Sequence, residues 1–405
     1  MSSRAAAGAG VLAFALVAVC AAVAWPDDSK LVPRDGGRVV GVDRWSWIFL
    51  GCAVGAFVVY AAGLYLIQRF GARLAVVAVI ALAIQLAPLG APLLLSTDAW
   101  TYWDYARIAA VHDANPYVDT PADYPSDPAF PFAGAKWRDT TSVYGPAFTL
   151  SSEPLALADG VSSDAAAWTY KTLAAVALLV ATGLAAFLAR RRPFACAFVG
   201  WNPLLALHFA GGGHNDAWMA ALVVGALALA AVGRRQLAGV SWALAVLIKW
   251  IPLVFLPLRA LEARAQKRAV GHLAFAVTAA VLVALATWRY SWHWIGAFGP
   301  LASNASQETR FAIPHRLEQL GLPEWLAFAA AATGFALAYL WLLLQAARGR
   351  ARLGLAAGLV LLATPYLVPW YMVWAVPLAA AEEDRGAQWL ALGLCAYTLR
   401  QTIPL

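Results

Sequence analysis

Charge is scarce in this sequence. Only 13% of its 405 residues are Asp, Glu, Lys or Arg and 62% are hydrophobic, whereas ordinary soluble domains are about 25% charged. That balance excludes a water-soluble globular protein. Cysteine is scarce too: Cys20, Cys52, Cys196 and Cys395 all sit in apolar runs, so they read as small core residues and no disulfide framework is indicated. The six histidines are scattered, with no His-x-x-x-His and no Cys pairing, which argues against a zinc site; no metal and no cofactor are expected. Gly211–Gly213 lacks the spacing of a nucleotide-binding loop. An internal repeat is also missing, which weakens a secondary-transporter reading.

What the sequence has instead is charge-free runs of membrane length. They are Ala5–Pro26, Trp45–Gln68, Leu74–Thr97, Thr172–Ala189, Ala217–Gly233, Leu273–Trp288, Trp325–Ala347 and Leu353–Ala381. A helix needs about 20 apolar residues to cross a bilayer, and barrel strands would read as shorter alternating segments. The expectation is an all-α polytopic membrane protein, one integral-membrane domain over residues 1–405 with about 11–13 membrane helices. The first run reads as a retained anchor, because only 20 residues separate Ala22-Val23-Ala24 from the next span.

The net charge of +7 raises the question of nucleic acid, and its distribution answers it. Arg69/Arg73, Arg190–Arg192, Arg234/Arg235, Arg259/Arg264/Lys267/Arg268 and Arg348/Arg350/Arg352 fall in alternate short loops. That is the positive-inside pattern, and it places those loops and the N-terminus in the cytosol. On this topology the inner side carries 16 Lys/Arg against 4 acids and the outer side 11 against 18. The basic excess faces anionic lipid headgroups, so membrane lipids are expected partners and nucleic acid is not. The protein is expected in the plasma membrane.

Two segments resist a simple reading as spans. Gln236 to Leu258 has cytosolic charges at both ends and Lys249 in its middle, which predicts a pair of half-depth helices with Lys249-Trp250-Ile251-Pro252 at the tip. Asp98 to Asp164 is the longest polar segment. It opens with an acid just past the Leu74–Thr97 crossing, followed by Trp100, Trp103 and Tyr105–Ile108 at helical spacing with polar residues between. This predicts an interfacial helix in an extracytoplasmic loop over 98–164 that lids a substrate site. Asp98 is well placed for a base, although an Asp there also suits a helix cap.

The unusual polar residues share the outer rim: Asp98, Asp104, Tyr144, His214, Asn215, Asp216, Arg289, Trp370 and Tyr371, with Lys249 pointing up toward them. Each has a plainer reading. His214-Asn215-Asp216 suits a cap after a glycine turn, Arg289 an interfacial belt, and Lys249 a snorkelling side chain, though charges at membrane depth are functional by default.

At this point the chain resembles integral-membrane glycosyltransferases of the GT-C fold, which use polyprenyl-phosphate sugars. More closely, the order Asp98…Tyr102, Asn115-Pro116-Tyr117, Tyr144-Gly145-Pro146, Asn202-Pro203, Gly213-His214-Asn215-Asp216-Ala217, Lys249 with Pro252 and Pro257, and Pro365…Pro369-Trp370-Tyr371 is similar to polyprenol-phosphate-mannose-dependent α-mannosyltransferases that build bacterial lipomannan-type glycans. Family members often place His before Pro-Trp-Tyr where this chain has Val368, and the tail to Leu405 is short for the family.

The resemblance implies an extracytoplasmic, inverting glycosyltransferase. It would move a sugar, mannose first, from a polyprenyl-phosphate donor to a lipid-linked glycan or glycolipid. Phosphate monoester is a good leaving group, so one carboxylate suffices, unlike glycoside hydrolysis. Asp98 would be the base. Lys249 and Arg289 would bind the donor phosphate. His214, Asn215, Asp216, Asp104, Tyr144, Trp370 and Tyr371 would bind sugar or acceptor. The rivals are a GT-C enzyme for another sugar, such as arabinose or glucose, and a lipid-linked-sugar flippase or transporter without catalysis.

Overall fold

A computed structural model describes residues 2–34, 41–299 and 309–403. Parts of two loops expected on the outer side, and the terminal Leu405, where the last helix was expected to end, lie outside the described residues. Within them all regular structure is helical. The elements are α1 (Ser2–Ala22), α2 (Arg44–Phe70), α3 (Leu74–Leu86), α4 (Asp98–Ala110), α5 (Pro146–Asp159), α6 (Ser163–Leu188), α7 (Arg192–Gly200), α8 (Pro203–Phe209), α9 (Asp216–Ala231) and α10 (Arg235–Ile248). They continue with α11 (Phe255–Ala265), α12 (His272–Tyr290), α13 (Ile313–Gln319), α14 (Glu324–Ala347), α15 (Leu353–Ala363), α16 (Val376–Glu382) and α17 (Arg385–Thr398).

Among the described residues five stretches are long and apolar enough to cross a membrane: Ser3–Ala22, Arg44–Phe70, Ser163–Leu188, His272–Ala297 and Glu324–Ala347. The polytopic helical architecture is as the sequence predicts, but several expected spans are shorter or broken. α3 stops at Leu86 and tightens into a 3₁₀ turn over Ala87–Gly90 that contains Pro88. The helix expected over 194–210 breaks at Trp201-Asn202, because Pro203 cannot continue the hydrogen-bond ladder. The Asn202 side chain then accepts from Leu204 N and Leu205 N and starts α8. The span expected over 353–368 ends at Ala363, two residues before Pro365.

Small residues let these helices approach closely, as is usual where lipid gives no hydrophobic drive to association. Trp201 is fully buried, and its ring packs where a Cβ on Gly10 would come within 2.7 Å and one on Gly63 within 3.0 Å. Its indole N–H donates to Val77 O at 2.9 Å, tying α3 to the same point.

The paired half-helices at Lys249 are present. α10 ends at Ile248, Lys249 is extended, a 3₁₀ turn covers Ile251–Val254, and α11 follows. The chain then returns to where it began: a Cβ on Gly239 would lie 2.1 Å from Gly271 O, and Gln236 Oε1 accepts from Ala274 N. Both basic flanks therefore lie at one end and Lys249 at the other.

α4 forms where expected, but not as a one-faced interfacial helix. Every residue from Ala99 to Ala109 is buried. The irregular chain that follows folds back over it: Tyr105 OH donates to Thr140 O at 2.7 Å, and the Arg107 guanidinium donates to both Asp127 oxygens.

Candidate active site

Asp98 opens α4 at the close of a tightly held segment. Leu94 N donates to Gly211 O at 2.9 Å and Leu95 N to Leu31 O at 2.8 Å. Leu95 takes the left-handed region at φ 67°, which a Leu adopts only when its surroundings dictate it. Upstream, the buried Lys171 ammonium on α6 donates to the carbonyls of Leu89, Ala91 and Pro92. The approach to Asp98 is thus fixed from two sides.

The Asp98 carboxylate does not cap its own helix. It accepts from His214 Nδ1 at 2.9 Å and from Tyr102 OH at 3.4 Å. An ionised carboxylate only accepts, so Nδ1 carries the ring proton. Burial pushes the Asp98 carboxyl up, but the His214 hydrogen bond, the Ser96 hydroxyl and the Lys249 charge outweigh it and hold the carboxyl below the usual range. Its side chain keeps 15% exposure, against none for His214. The pair therefore has one open side, at the carboxylate.

His214 is locked in place. Its ring stacks on Trp370 with centroids 3.9 Å apart and planes at 11°. Gly213 precedes it at φ +73°, and a Cβ there would meet Ala99 Cβ and Lys171 N, both at 3.2 Å, so the turn both needs and exploits glycine. Asn215 sits at the N-cap position of α9 without a side-chain cap bond, and its amide is buried without a hydrogen-bond partner among the described residues. The cap reading of His214-Asn215-Asp216 therefore does not describe what these side chains do.

Asp216 faces the hairpin tip. Its Oδ1 takes the Lys249 ammonium at 2.7 Å and the Trp374 indole N–H at 2.6 Å, while Oδ2 is buried without a partner among the described residues. Lys249 also lies over the Tyr371 ring at 5.1 Å and keeps 20% exposure. Tyr144 arrives through the next residue: Gly145 N donates to Ile248 O, immediately before Lys249. The Tyr144 ring meets Tyr102 edge-on at 4.9 Å, and Tyr144 O accepts from Tyr117 OH. Asp98, His214, Asn215, Asp216, Tyr144, Lys249, Trp370 and Tyr371 are thus brought together.

Two expected members are elsewhere. Arg289 is held by Glu153 at 3.3 Å, Asp113 at 3.0 Å and Ala109 O at 2.6 Å, so its guanidinium is engaged in pinning the end of α12 to α4 and α5. Asp104 lies on another face of α4, beside Asp127, Arg107 and Arg138. Burial first, and then the Asp127 charge, push its carboxyl up to about 7. Six residues along a helix is about 240° of rotation, which turns Asp104 away from Asp98.

In place of Arg289 the structure brings up Lys136, from the irregular loop. Its ammonium lies 4.6 Å from the Tyr366 ring centroid. Burial lowers its pKa, and the charge of Asp98 works against that shift. Nothing near Lys136 in the sequence points to Asp98, since only the path of the loop joins them. His208 was missed as well: it is fully buried, neither ring nitrogen has a partner among the described residues, and its ring lies 5.7 Å from Trp370. Among the described residues no group of three His, Cys, Asp or Glu could hold a metal.

Comparison with known proteins turns this geometry into a family assignment. The family of the alpha-(1->6)-mannopyranosyltransferase N-terminal domain matches residues 6–265, which carry Asp98, Tyr144, His214, Asp216 and Lys249. Alpha-(1->6)-mannopyranosyltransferase A of Mycobacterium tuberculosis is 31% identical over 228 residues, covering 50% of this chain and 43% of the relative. A probable alpha-(1->6)-mannopyranosyltransferase of Mycolicibacterium smegmatis is 26% identical over 361 residues, covering 72% of this chain and 62% of the relative. The chain thus spans between two fifths and two thirds of the length of these curated relatives. No solved structure matches it. With close to two thirds of its residues inside the matched region, this chain belongs to the alpha-(1->6)-mannopyranosyltransferase family.

Proposed function

We propose that the protein transfers a mannosyl residue from a polyprenyl-phosphate donor to a hydroxyl of a lipid-linked glycan or glycolipid. Transfer takes place on the extracytoplasmic face with inversion at the anomeric carbon. The observation that carries this reading is the Asp98–His214 pair, open at the carboxylate and set beside the Asp216–Lys249 pair.

The acceptor hydroxyl gives its proton to Asp98 as its oxygen attacks the anomeric carbon. The bond from that carbon to the phosphate oxygen breaks, and its electron pair leaves with the polyprenyl phosphate. Attack from the face opposite the leaving group turns a β-linked donor into an α product. His214 is the positioning residue: its Nδ1–H holds Oδ2 of Asp98 and leaves Oδ1 for the acceptor. Lys249 and Lys136 stabilise the phosphate charge that grows as the bond breaks. Asp216 aims Lys249 and, with Asn215, offers acceptor atoms to sugar hydroxyls. Trp370, Tyr371 and Tyr144 supply the aromatic wall on which a sugar packs.

Transfer of radiolabelled mannose from polyprenyl-phosphate-mannose by the purified protein tests this reading. Asp98→Asn keeps shape and hydrogen bonding but removes the base, which typically contributes ~10²–10⁴-fold. The variant should retain donor binding and lose transfer by about that factor. Near-normal transfer by Asp98→Asn, with the loss in Asp216→Asn instead, would assign the base to Asp216. Transfer of arabinose or glucose in preference to mannose would favour the other-sugar reading.

A further inference from the structure

At the end of the hairpin opposite Lys249 the structure holds a second site. A cavity of about 1020 Å³ opens between α10, α11 and α12, closed behind by the ends of α6 and α9. Its size matches the largest ordinary ligand sites, which run to about 1,000 Å³. Its walls are apolar, with Trp242, Leu256 and Phe275 among them, and its mouth is basic, with Arg235, Arg268 and His272.

The two acids at this cavity are already engaged. Glu262 accepts from Ala351 N and pairs with Arg259, while Glu382 accepts from Leu353 N and Gly354 N at the start of α15. Arg235 and Arg268 are exposed and make no ion pair among the described residues. The N-termini of α10 and α12 meet at the same mouth, where Gln236 Oε1 on α10 accepts from Ala274 N in the first turn of α12. The positive ends of two helix dipoles, set beside two arginines without an ion pair among the described residues, form a setting for phosphate. An apolar cavity behind them calls for acyl chains. A basic pocket between membrane helices on the cytosolic side suits an anionic lipid headgroup.

From this convergence we infer that the cavity binds one anionic glycerophospholipid of the cytosolic leaflet, its phosphate at Arg235 and Arg268 and its acyl chains against Trp242, Leu256 and Phe275. The lipid wedges apart the arms of the hairpin whose tip carries Lys249. This inference does not rest on the transferase reading, and its test reads no transfer.

The purified full-length protein is mixed with phosphatidylglycerol or phosphatidylcholine, and bound lipid is counted by native mass spectrometry. One phosphatidylglycerol should be retained in preference to phosphatidylcholine, with a matching rise in the thermal midpoint. Each basic residue at an anionic surface contributes about fivefold in affinity, so Arg235→Gln with Arg268→Gln should weaken retention by about 25-fold. Arg69→Gln with Arg73→Gln, in a separate inner loop, should not. Ala260→Trp, which fills the cavity while leaving the charges, should also expel the lipid. Equal retention of the two lipids, or equal loss in both arginine pairs, overturns a built site and leaves only general surface attraction.

Discussion

At the scale of single residues, the site turns on how each carboxylate is surrounded. Asp98 begins α4 and Asp104 stands at its middle, yet burial is outweighed only for Asp98, by His214, Ser96 and Lys249. The sign of each consequence differs. Asp98 has a folded pKa below its unfolded value, so its stabilisation is present above the ordinary carboxylate pKa and is lost as pH falls through the lower folded value. Asp104 has a folded value of about 7, above its unfolded value, so its contribution to stability declines as pH rises from about 4 to about 7. Asp104→Asn cannot ionise. Compared with the parent, its thermal midpoint should gain progressively over that window, with transfer preserved. A constant difference across pH would show that Asp104 does not titrate there.

Lys249 gives the complementary case. Its ammonium is paired with Asp216, so Lys249→Met leaves a buried carboxylate uncompensated as well as removing the proposed donor-phosphate contact. The single variant should lose donor use and stability together. Adding Asp216→Asn should restore the thermal midpoint but not transfer. Restored transfer in the double variant would mean that Lys249 only neutralises Asp216.

At the scale of elements, the helices that bear the site were legible where they carry their own boundary signals. The lone cation of 236–258 marks a break, because a charge at depth needs a lined cavity, whereas the break at Asn202-Pro203 was passed over in a helix expected to run through 194–210. Azimuth and burial were not legible. Arg289 stands in the last turn of α12, but which neighbour it meets depends on the rotation of that helix, and Glu153 and Asp113 meet it first. α4 shows one aromatic stripe in its sequence, yet all its faces are covered by a loop with no periodicity to read.

Gly145 is where that loop docks. A Cβ there would lie 2.1 Å from Leu247 O, closer than such contacts allow, so a side chain must displace either Tyr144 or the hairpin tip. A misplacement of about 1 Å at a reacting group costs on the order of 10²-fold. Gly145→Ala should reduce transfer by about that factor, while Gly183→Ala, with open space around it, leaves transfer unchanged. Equal activity of the two variants would mean that the Gly145 contact does not position the site.

At the scale of the whole molecule, charge separation and geometry converge. The residues gathered around Asp98 lie at the Lys249 end of the hairpin, and the basic flanks Arg234/Arg235 and Arg264/Lys267/Arg268 at the other. If positive charge marks the cytosolic side, the reacting groups face the opposite compartment, where nucleotide donors are scarce and a lipid-borne donor fits. Orientation is therefore the premise on which the donor class depends. It can be read directly with cysteines introduced at Ser126, exposed in the 98–164 loop, and Gln236, exposed at the basic end. Of the native cysteines, Cys20, Cys196 and Cys395 are buried, and the half-buried Cys52 is replaced by Ala in both variants. In intact cells a membrane-impermeant maleimide should label Ser126→Cys. It should label Gln236→Cys only after permeabilisation. The reverse pattern would place Asp98 on the cytosolic side, and the lipid-borne donor would then lose its topological support even if the Asp98–His214 geometry stands.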